Sequence, residues 1–461
     1  MDSMIALLTL VAAAAPNLIV VSLDTTRADA LSCYGAPEST YDATPDRPRT
    51  PVLDALAAEG VRFDRFFAQS PSTLASHATL FTGRDPHGTG VARNGFPLAA
   101  SHTTLAERLA AVGYDTRAVL GALALESGTG IEQGFAVWDD ESPTLRGLMY
   151  QSPAPEVVRR AFAAVDARDP SAPLFLFVHF FDAHAPYEAP EPYNARFQDP
   201  AYDGRFGDPR MRNAPVIRRL RKGEEPGADA FAINGRYYAE VAALDAQIGV
   251  LLEGLAARGV LDDALVVVVG DHGEVLTERP VYAWTHGNDV STGVTRVPLL
   301  MRAYGSVPLA RRTVVTRTAG MASVAPTLEA ALGLDVTLGR SMWDLVRPGP
   351  VDTTEGWPER PMRIVRQEAT RPRNLEDPDD WNNLPFERAV IAGPWRLDAF
   401  PLEGQPPVVR EGPAPIGPVL AGVLHRWDHD GTPHVTADMA PHQVRALKAL
   451  GYLQDDPVPK Q

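Results

Sequence analysis

Leu265-Val266-Val267-Val268-Val269-Gly270-Asp271-His272-Gly273-Glu274 is the stretch whose reading decides the fold. Its apolar half has the length and β-branched composition of a strand buried on both faces, the environment of a parallel sheet covered by helices. Polarity then changes within two residues. A carboxylate and an imidazole placed directly after a fully apolar strand are costly to leave unpaired. Asp271-His272-Gly273 is either a polar turn or a ligand site, because ligands in open α/β sheets sit beyond the carboxyl ends of the strands.

Working outward, further apolar runs read as strands at Asn17 to Leu23, Tyr114 to Leu120, Leu174 to His179 and Val297 to Met301. Helical patterns lie between them. Thr50-Pro51 opens one by N-cap and N1 proline, and Thr104-Leu105-Ala106-Glu107 is a capping box for another. Tyr238 to Leu255 repeats Val241, Leu244, Ile248, Leu251 and Leu255 at helical spacing just before the Leu265 strand, which is βαβ logic. The expected fold is α/β: a large, mostly parallel mixed sheet sandwiched by helices, spanning 16–345. From 346 to 461, Pro, Gly and Trp punctuate shorter segments, with strands expected at Met362 to Glu368 and Arg388 to Leu397 and a final helix at Pro441 to Leu450. These predict a smaller C-terminal subdomain. Ala185 to Ala232 and Glu403 to Val419 read as irregular.

The chain has 461 residues and a net charge of -15, from 43 basic and 58 acidic side chains. With no basic run to track a phosphate backbone, nucleic acid is excluded as a partner. Cys33 is the one cysteine, which excludes an internal disulfide and a thiolate metal cage. Met4 to Ala15, within residues 1–15, resembles the apolar core of a secretory signal, though no Lys or Arg precedes it; a buried first strand or helix is the alternative. The first reading implies a periplasmic or secreted protein, the second a cytoplasmic one. The run falls short of the roughly 18 apolar residues needed to cross a bilayer, so no stable membrane span is expected. Nothing in the sequence specifies an oligomeric state.

Residues following the apolar runs are unusually polar. Asp24 follows the first, Asp182 and His184 the one ending at His179, and Asp271 and His272 the Leu265 run, with His286 in a loop beyond. Two carboxylates and an imidazole at one sheet edge would bind a divalent cation, since this donor set suits Ca, Mn, Mg or Zn. Asp24 could equally cap the next helix. In Ser70 to Gly83 (SPSTLASHATLFTG), Thr73, Ser76 and His77 precede or open a helix. A hydroxyl there gains from the helix dipole and the free N–H groups, which also suit an anion, or is simply an N-cap.

Four blocks in order resemble the sulfatase family of the alkaline phosphatase superfamily: NLIVVSLDTTRADALSCYG from Asn17, TLASHATLFTG from Thr73, FLFVHFFDAHAPY from Phe175 and VVVVGDHGE from Val266. Softer echoes extend the likeness from Asn17 nearly to the C-terminus. The resemblance implies an alkaline-phosphatase/sulfatase-like fold and a metal-dependent hydrolase of small-molecule or glycan esters. By position it makes Asp24, Thr73, Asp271 and His272 the ligands of one divalent metal ion, calcium being the family's usual choice, and puts Thr73 at the nucleophile. His77 falls beside the nucleophile as a catalytic group, meeting charge on the transferred oxygens, His184 and His286 on the substrate oxyanion or leaving group as catalytic and substrate-binding residues, and Asp182 among the substrate-binding residues; Arg27 and Asp29 belong to the first block. Three departures follow. Thr25 replaces a second aspartate, Thr73-Leu74-Ala75 lacks the Cys or Ser and the Pro needed for conversion to formylglycine, and Ala122-Leu123-Ala124 stands where many members read Lys-Trp-His. Alternatives are a phosphate or phosphonate ester hydrolase or transferase, because a threonine ester lacks the collapse route of a formylglycine hydrate, and an inactive glycan-binding protein.

Overall fold

A computed structural model describes residues 15–35, 41–141, 144–146, 149–208, 213–349, 364–370, 385–399, 407–411 and 417–427. Its centre is an eight-stranded sheet built from β1 (Asn17–Leu23), β2 (Val61–Phe63), β3 (Asp115–Leu120), β4 (Val137–Asp139), β5 (Leu174–Phe180), β6 (Ala264–Gly270), β7 (Leu299–Tyr304) and β8 (Thr313–Val315). The strand order is β8-β2-β7-β6-β1-β5-β3-β4. All neighbours are parallel except β7, which runs antiparallel to both β6 and β2. The sheet is thus mixed and mostly parallel, as expected from its apolar strands.

Alternation along the central strands divides the core in two. Ile19, Val21, Leu176, Val178, Val266 and Val268 face one layer. Leu18, Val20, Phe175, Phe177, Val267 and Val269 face the other. Each fully buried Val or Leu contributes about 1.5–3 kcal/mol relative to exposure, so the central strands cannot slip by one residue without reversing both faces. The first layer includes α1 (Pro51–Glu59), α4 (Ala154–Asp166) and α5 (Ala228–Ala257); the second includes α2 (Thr73–Thr82), α3 (Leu105–Ala111) and α6 (Val324–Ala331).

The Thr104 capping box forms. At α1, Pro51 is the first helical residue, but the Thr50 side chain does not cap: its hydroxyl accepts from Ser32 N–H at 2.9 Å. Helix α5 begins ten residues before Tyr238, because Ala230, Ile233, Asn234 and Tyr237 already continue its buried side. Short helices at Tyr193–Arg196 and Ala214–Arg221 interrupt the stretch expected to be irregular.

A separate four-stranded antiparallel sheet follows: β9 (Ile364–Thr370), β10 (Pro385–Ala392), β11 (Trp395–Ala399) and β12 (Val408–Glu411), with α7 (Gly417–Trp427) against it. The single strand expected at Arg388 to Leu397 is a hairpin turning at Gly393-Pro394, where Gly393 takes φ 56°. A turn signal inside an apolar run was the discriminating feature. Met4 to Ala14 of the signal-like run and the helix expected at Pro441 to Leu450 lie outside the described residues. Among the described residues, no helix is long and apolar enough to cross a membrane.

Candidate active site

Register brings the polar strand ends together. Leu23 lies opposite Phe180 on one side and Gly270 on the other, so Asp24 and Asp271 leave adjacent strands at one level. Thr25 bridges them, its hydroxyl donating to Asp24 Oδ1 at 2.5 Å and its backbone N–H to Asp271 Oδ1 at 3.1 Å. Doing so holds a β-branched residue at φ 54°, a left-handed conformation that costs about 1–3 kcal/mol. Asp24 therefore does not cap a helix. The two glycines of the Leu265 block serve close approach: a Cβ on Gly270 would stand 2.8 Å from Thr26 O, and one on Gly273 2.2 Å from Gly293 O.

The second oxygens of both aspartates, Asp24 Oδ2 and Asp271 Oδ2, are buried without a hydrogen-bond partner. Burial and the Asp24 charge push the Asp271 carboxyl well above its usual range. For Asp24 burial pushes the same way, but His179 and His272 overcome it and hold the group low. A cation between them would let two such carboxylates ionise together. Ligand atoms of Asp24, Asp271 and His272 lie within 4.8 Å of one another, so these residues fit a divalent metal.

Helix α2 delivers Thr73 to this edge. Ser76 fastens the helix by donating to Asp271 O at 2.6 Å. Ser72 occupies the N-cap position and Thr73 the first helical one, so Thr73 is not a cap. Its hydroxyl lies 3.3 Å from His272 Nε2. Because His272 Nδ1 sits 3.1 Å from the Gly273 carbonyl, which can only accept, the Nε2 lone pair faces the threonine and the two aspartates. Burial drives the His272 ring down to about 3, keeping it neutral and able to ligate.

His77 lies beside Thr73, with both ring nitrogens held by the protein. Nδ1 donates to Thr73 O at 2.7 Å, and Nε2 accepts from Ser22 Oγ at 2.8 Å. Fully buried, with its pKa pushed by burial to about 3, this ring is neutral and both nitrogens are engaged by the protein.

His184 and His286 meet at the rim, with ring centroids 4.9 Å apart, and His286 lies 4.5 Å from the His272 ring. His184 stacks on Phe181 at 4.3 Å and donates Nδ1–H to Ala185 O at 2.7 Å, leaving Nε2 as its acceptor face. His286 Nδ1 is 3.2 Å from Glu274 Oε1, and Glu274 Oε2 accepts from Tyr187 at 3.0 Å. Burial lowers both imidazoles, His286 to about 4, and raises Glu274 to about 7. Asp182 Oδ1 accepts from Ala154 N–H at 2.9 Å and tethers the start of α4. Arg27 clamps the exit loops together, forking onto Asp29 at 2.7 Å, donating to Glu274 O at 2.9 Å and pairing with Glu278.

Sequence reasoning missed His179 and Glu274. His179, taken from the sequence only as the end of a strand, has Nε2 3.3 Å from Asp24 Oδ2. Its signal was there to read: Leu174–Phe180 is otherwise wholly apolar, and a histidine on a face shared with Phe175 and Phe177 needs a partner.

Comparison with known proteins adds three findings. The family model described as Sulfatase matches residues 16–334. An ulvan-active sulfatase of Formosa agariphila is 26% identical over 412 residues, covering 79% of this chain and 74% of the relative; an arylsulfatase of Clostridium perfringens is 24% identical over 351 residues, covering 63% and 69%. In structure, the chain resembles a phosphonate monoester hydrolase of Agrobacterium radiobacter, with TM-score 0.65, 22% identity and coverage of 90% and 95%.

Proposed function

This chain belongs to the sulfatase family of hydrolases, and from that premise we propose that it is a metal-dependent hydrolase of sulfuric-type oxyanion esters with Thr73 as nucleophile. The observation that carries this reading is the Thr73 hydroxyl, 3.3 Å from His272 Nε2 at an edge where two buried carboxylate oxygens have no hydrogen-bond partner. Asp24, Asp271, His272 and Thr73 would hold the cation. When bound, it supplies Lewis acidity, lowering the pKa of a hydroxyl and offsetting charge on the ester's oxygens. Residues 16–345 form the catalytic unit in this proposal, and 346–461 the smaller subdomain.

The chain's own groups divide the work. Thr73 Oγ1 gives up its proton and attacks the central atom, forming a threonine ester while the bond to the leaving oxygen breaks and that oxygen takes up a proton, so one proton is lost and one gained. His286, with Glu274 behind it, holds the proton for that oxygen, and His184, once protonated at Nε2, is the second candidate donor. The N-terminus of α2 faces the transferred group with its positive end. His77 holds Thr73 through its carbonyl. Substrates are small-molecule or glycan esters, in keeping with the sulfatase names of the relatives.

Threonine itself favours a second reading. Its ester has no aldehyde to collapse to, so water or another acceptor must attack the central atom, a step better suited to phosphorus; phosphate or phosphonate mono- and diesters, or phosphoryl transfer, follow. The test is to chelate the protein, reload it separately with Ca, Mn, Mg and Zn, and assay aryl sulfate, aryl phosphate, phosphodiester and phosphonate esters in parallel. A preference of about 100-fold, about 2.8 kcal/mol in barrier, identifies the central atom. Metal-dependent turnover undiminished in Thr73→Ala would end the nucleophile assignment.

A further inference from the structure

Resting on the reading of Asp24, Asp271 and His272 as a cation site, we infer that His179 is a further ligand and that the site is built for a nitrogen-preferring divalent transition ion such as zinc, rather than for calcium. Position comes first. His179 pairs in register with Ser22 and points from the face of β5 that also carries Phe175 and Phe177. It is wholly buried, and neither ring nitrogen makes a hydrogen bond. An orphaned polar atom in such a setting is costly. Nε2 stands 3.3 Å from Asp24 Oδ2, which has no hydrogen-bond partner either, and ligand atoms of His77, His179 and Asp271 lie within 4.8 Å of one another.

Of the two histidines in that second group, only His179 is available. His77 has Nδ1 on the Thr73 carbonyl and Nε2 on the Ser22 hydroxyl. It serves instead as a wall, its ring edge-on to His179 at 5.1 Å, limiting how His179 can turn.

The donor count then selects the ion. Asp24 Oδ1 is occupied by the Thr25 hydroxyl, and Asp271 Oδ1 by the N–H groups of Thr25 and His272. What remains for a cation is Asp24 Oδ2, Asp271 Oδ2, Thr73 Oγ1, His272 Nε2 and His179 Nε2. Calcium takes about six to eight oxygens, whereas imidazole nitrogens suit zinc and its first-row neighbours. Two carboxylates also balance the charge of a dipositive ion. The competing arrangement has Nε2 protonated and donating to Asp24 Oδ2, which would keep His179 off the metal.

Chelated full-length protein loaded with cobalt(II), the spectroscopic stand-in for zinc, separates the two. Zinc and calcium affinities and the visible cobalt spectrum are measured for wild type, His179→Ala, His179→Gln and Asp271→Asn. Loss of a group merely supporting a ligand already costs about 10–100-fold in affinity, so loss of a ligand should weaken zinc by about 100-fold or more and shift the cobalt bands, with little change for calcium. Unchanged zinc affinity and cobalt bands in both His179 variants, with Asp271→Asn still abolishing binding, would overturn the inference and leave the cation site standing. Full binding in Asp271→Asn would bring down the site itself. Should the variants not fold, proton NMR of the wild-type cobalt protein decides: two exchangeable, strongly shifted imidazole N–H signals support His179 ligation, and one refutes it.

Discussion

Replacing His77 by phenylalanine tests whether this ring supports the site or touches the substrate. Phenylalanine keeps an aromatic ring against Phe177, whose centroid is 5.7 Å away, and removes both hydrogen bonds. The Ser22 hydroxyl, wholly buried and partnered by His77 Nε2 at 2.8 Å, is then orphaned at about 1–3 kcal/mol. The bond from Nδ1 to Thr73 O contributes about 1 kcal/mol, since that carbonyl also lies in the ladder of α2. The expected loss is about 2–4 kcal/mol against a usual domain stability of about 5–15, so the variant folds but is weakened. Denaturant titration measures it. Ser22→Ala in the His77→Phe background removes the orphan and should recover about half the loss, a coupling that a double-mutant cycle isolates.

The pH dependence has a definite sign. Burial takes the His77 pKa from 6.5 to about 3, so the folded state binds this proton less well than the unfolded state. The stability it confers is full above pH 6.5 and is lost as pH falls toward 3. His77→Phe lacks that term, so the gap between variant and wild type should narrow on acidification below 6.5. A variant as stable as wild type that has lost 100-fold or more in kcat/KM, the scale of a missing oxyanion contact, would refute this reasoning and return His77 to the substrate.

Further outcomes follow from the same geometry. Thr73→Ser keeps a hydroxyl at the start of α2 and should retain turnover where Thr73→Ala does not, as single-turnover kinetics on an aryl ester would read. Chelation should lower thermal stability, and readdition of metal at about 1,000 times its Kd should restore about 4 kcal/mol, measured by calorimetry. Gly273→Ala drives a methyl group onto the Gly293 carbonyl, so titration calorimetry should find metal binding weakened along with folding. Burial raises the Asp245 carboxyl to about 7 although it accepts from Val52 and Leu53 N–H. Its favourable contribution is full below about 3.8 and lost as pH rises through about 7, so Asp245→Asn should flatten the fall in stability between pH 5 and 9 seen by denaturant titration.

How much of this was legible in the sequence differs by element. The central strands were, because Val266–Val269 and Ile19–Val21 are apolar at every position and no surface strand tolerates that. Asp24, Asp271 and His272 were legible for the converse reason, as charges following such runs. His179 was hidden because a histidine ending an apolar strand reads as part of the strand, and its partner Ser22 lies 157 residues away. The hydrogen-bond partners of Asp182 and His77 were not legible from position alone. Where Asp182 Oδ1 is spent on Ala154 N–H, and both nitrogens of His77 on Thr73 and Ser22, is decided by helices that sequence proximity does not place. The hairpin at Gly393 was missed because the β-branched and apolar residues on both sides of the turn look like one continuous run.

The antiparallel sheet has a consequence for His286. Arg279 reaches Glu387 at 3.3 Å and Asp289 at 2.9 Å, Arg396 donates to Val290 O at 2.7 Å, and Val290 packs on Ala389. The segment bearing His286 is therefore braced from outside the large sheet, while Asp24 and Asp271 are anchored within it. On the proposed function, removing the brace would uncouple two competences that look like one: capture of the ion would persist while command of the leaving group's proton is lost.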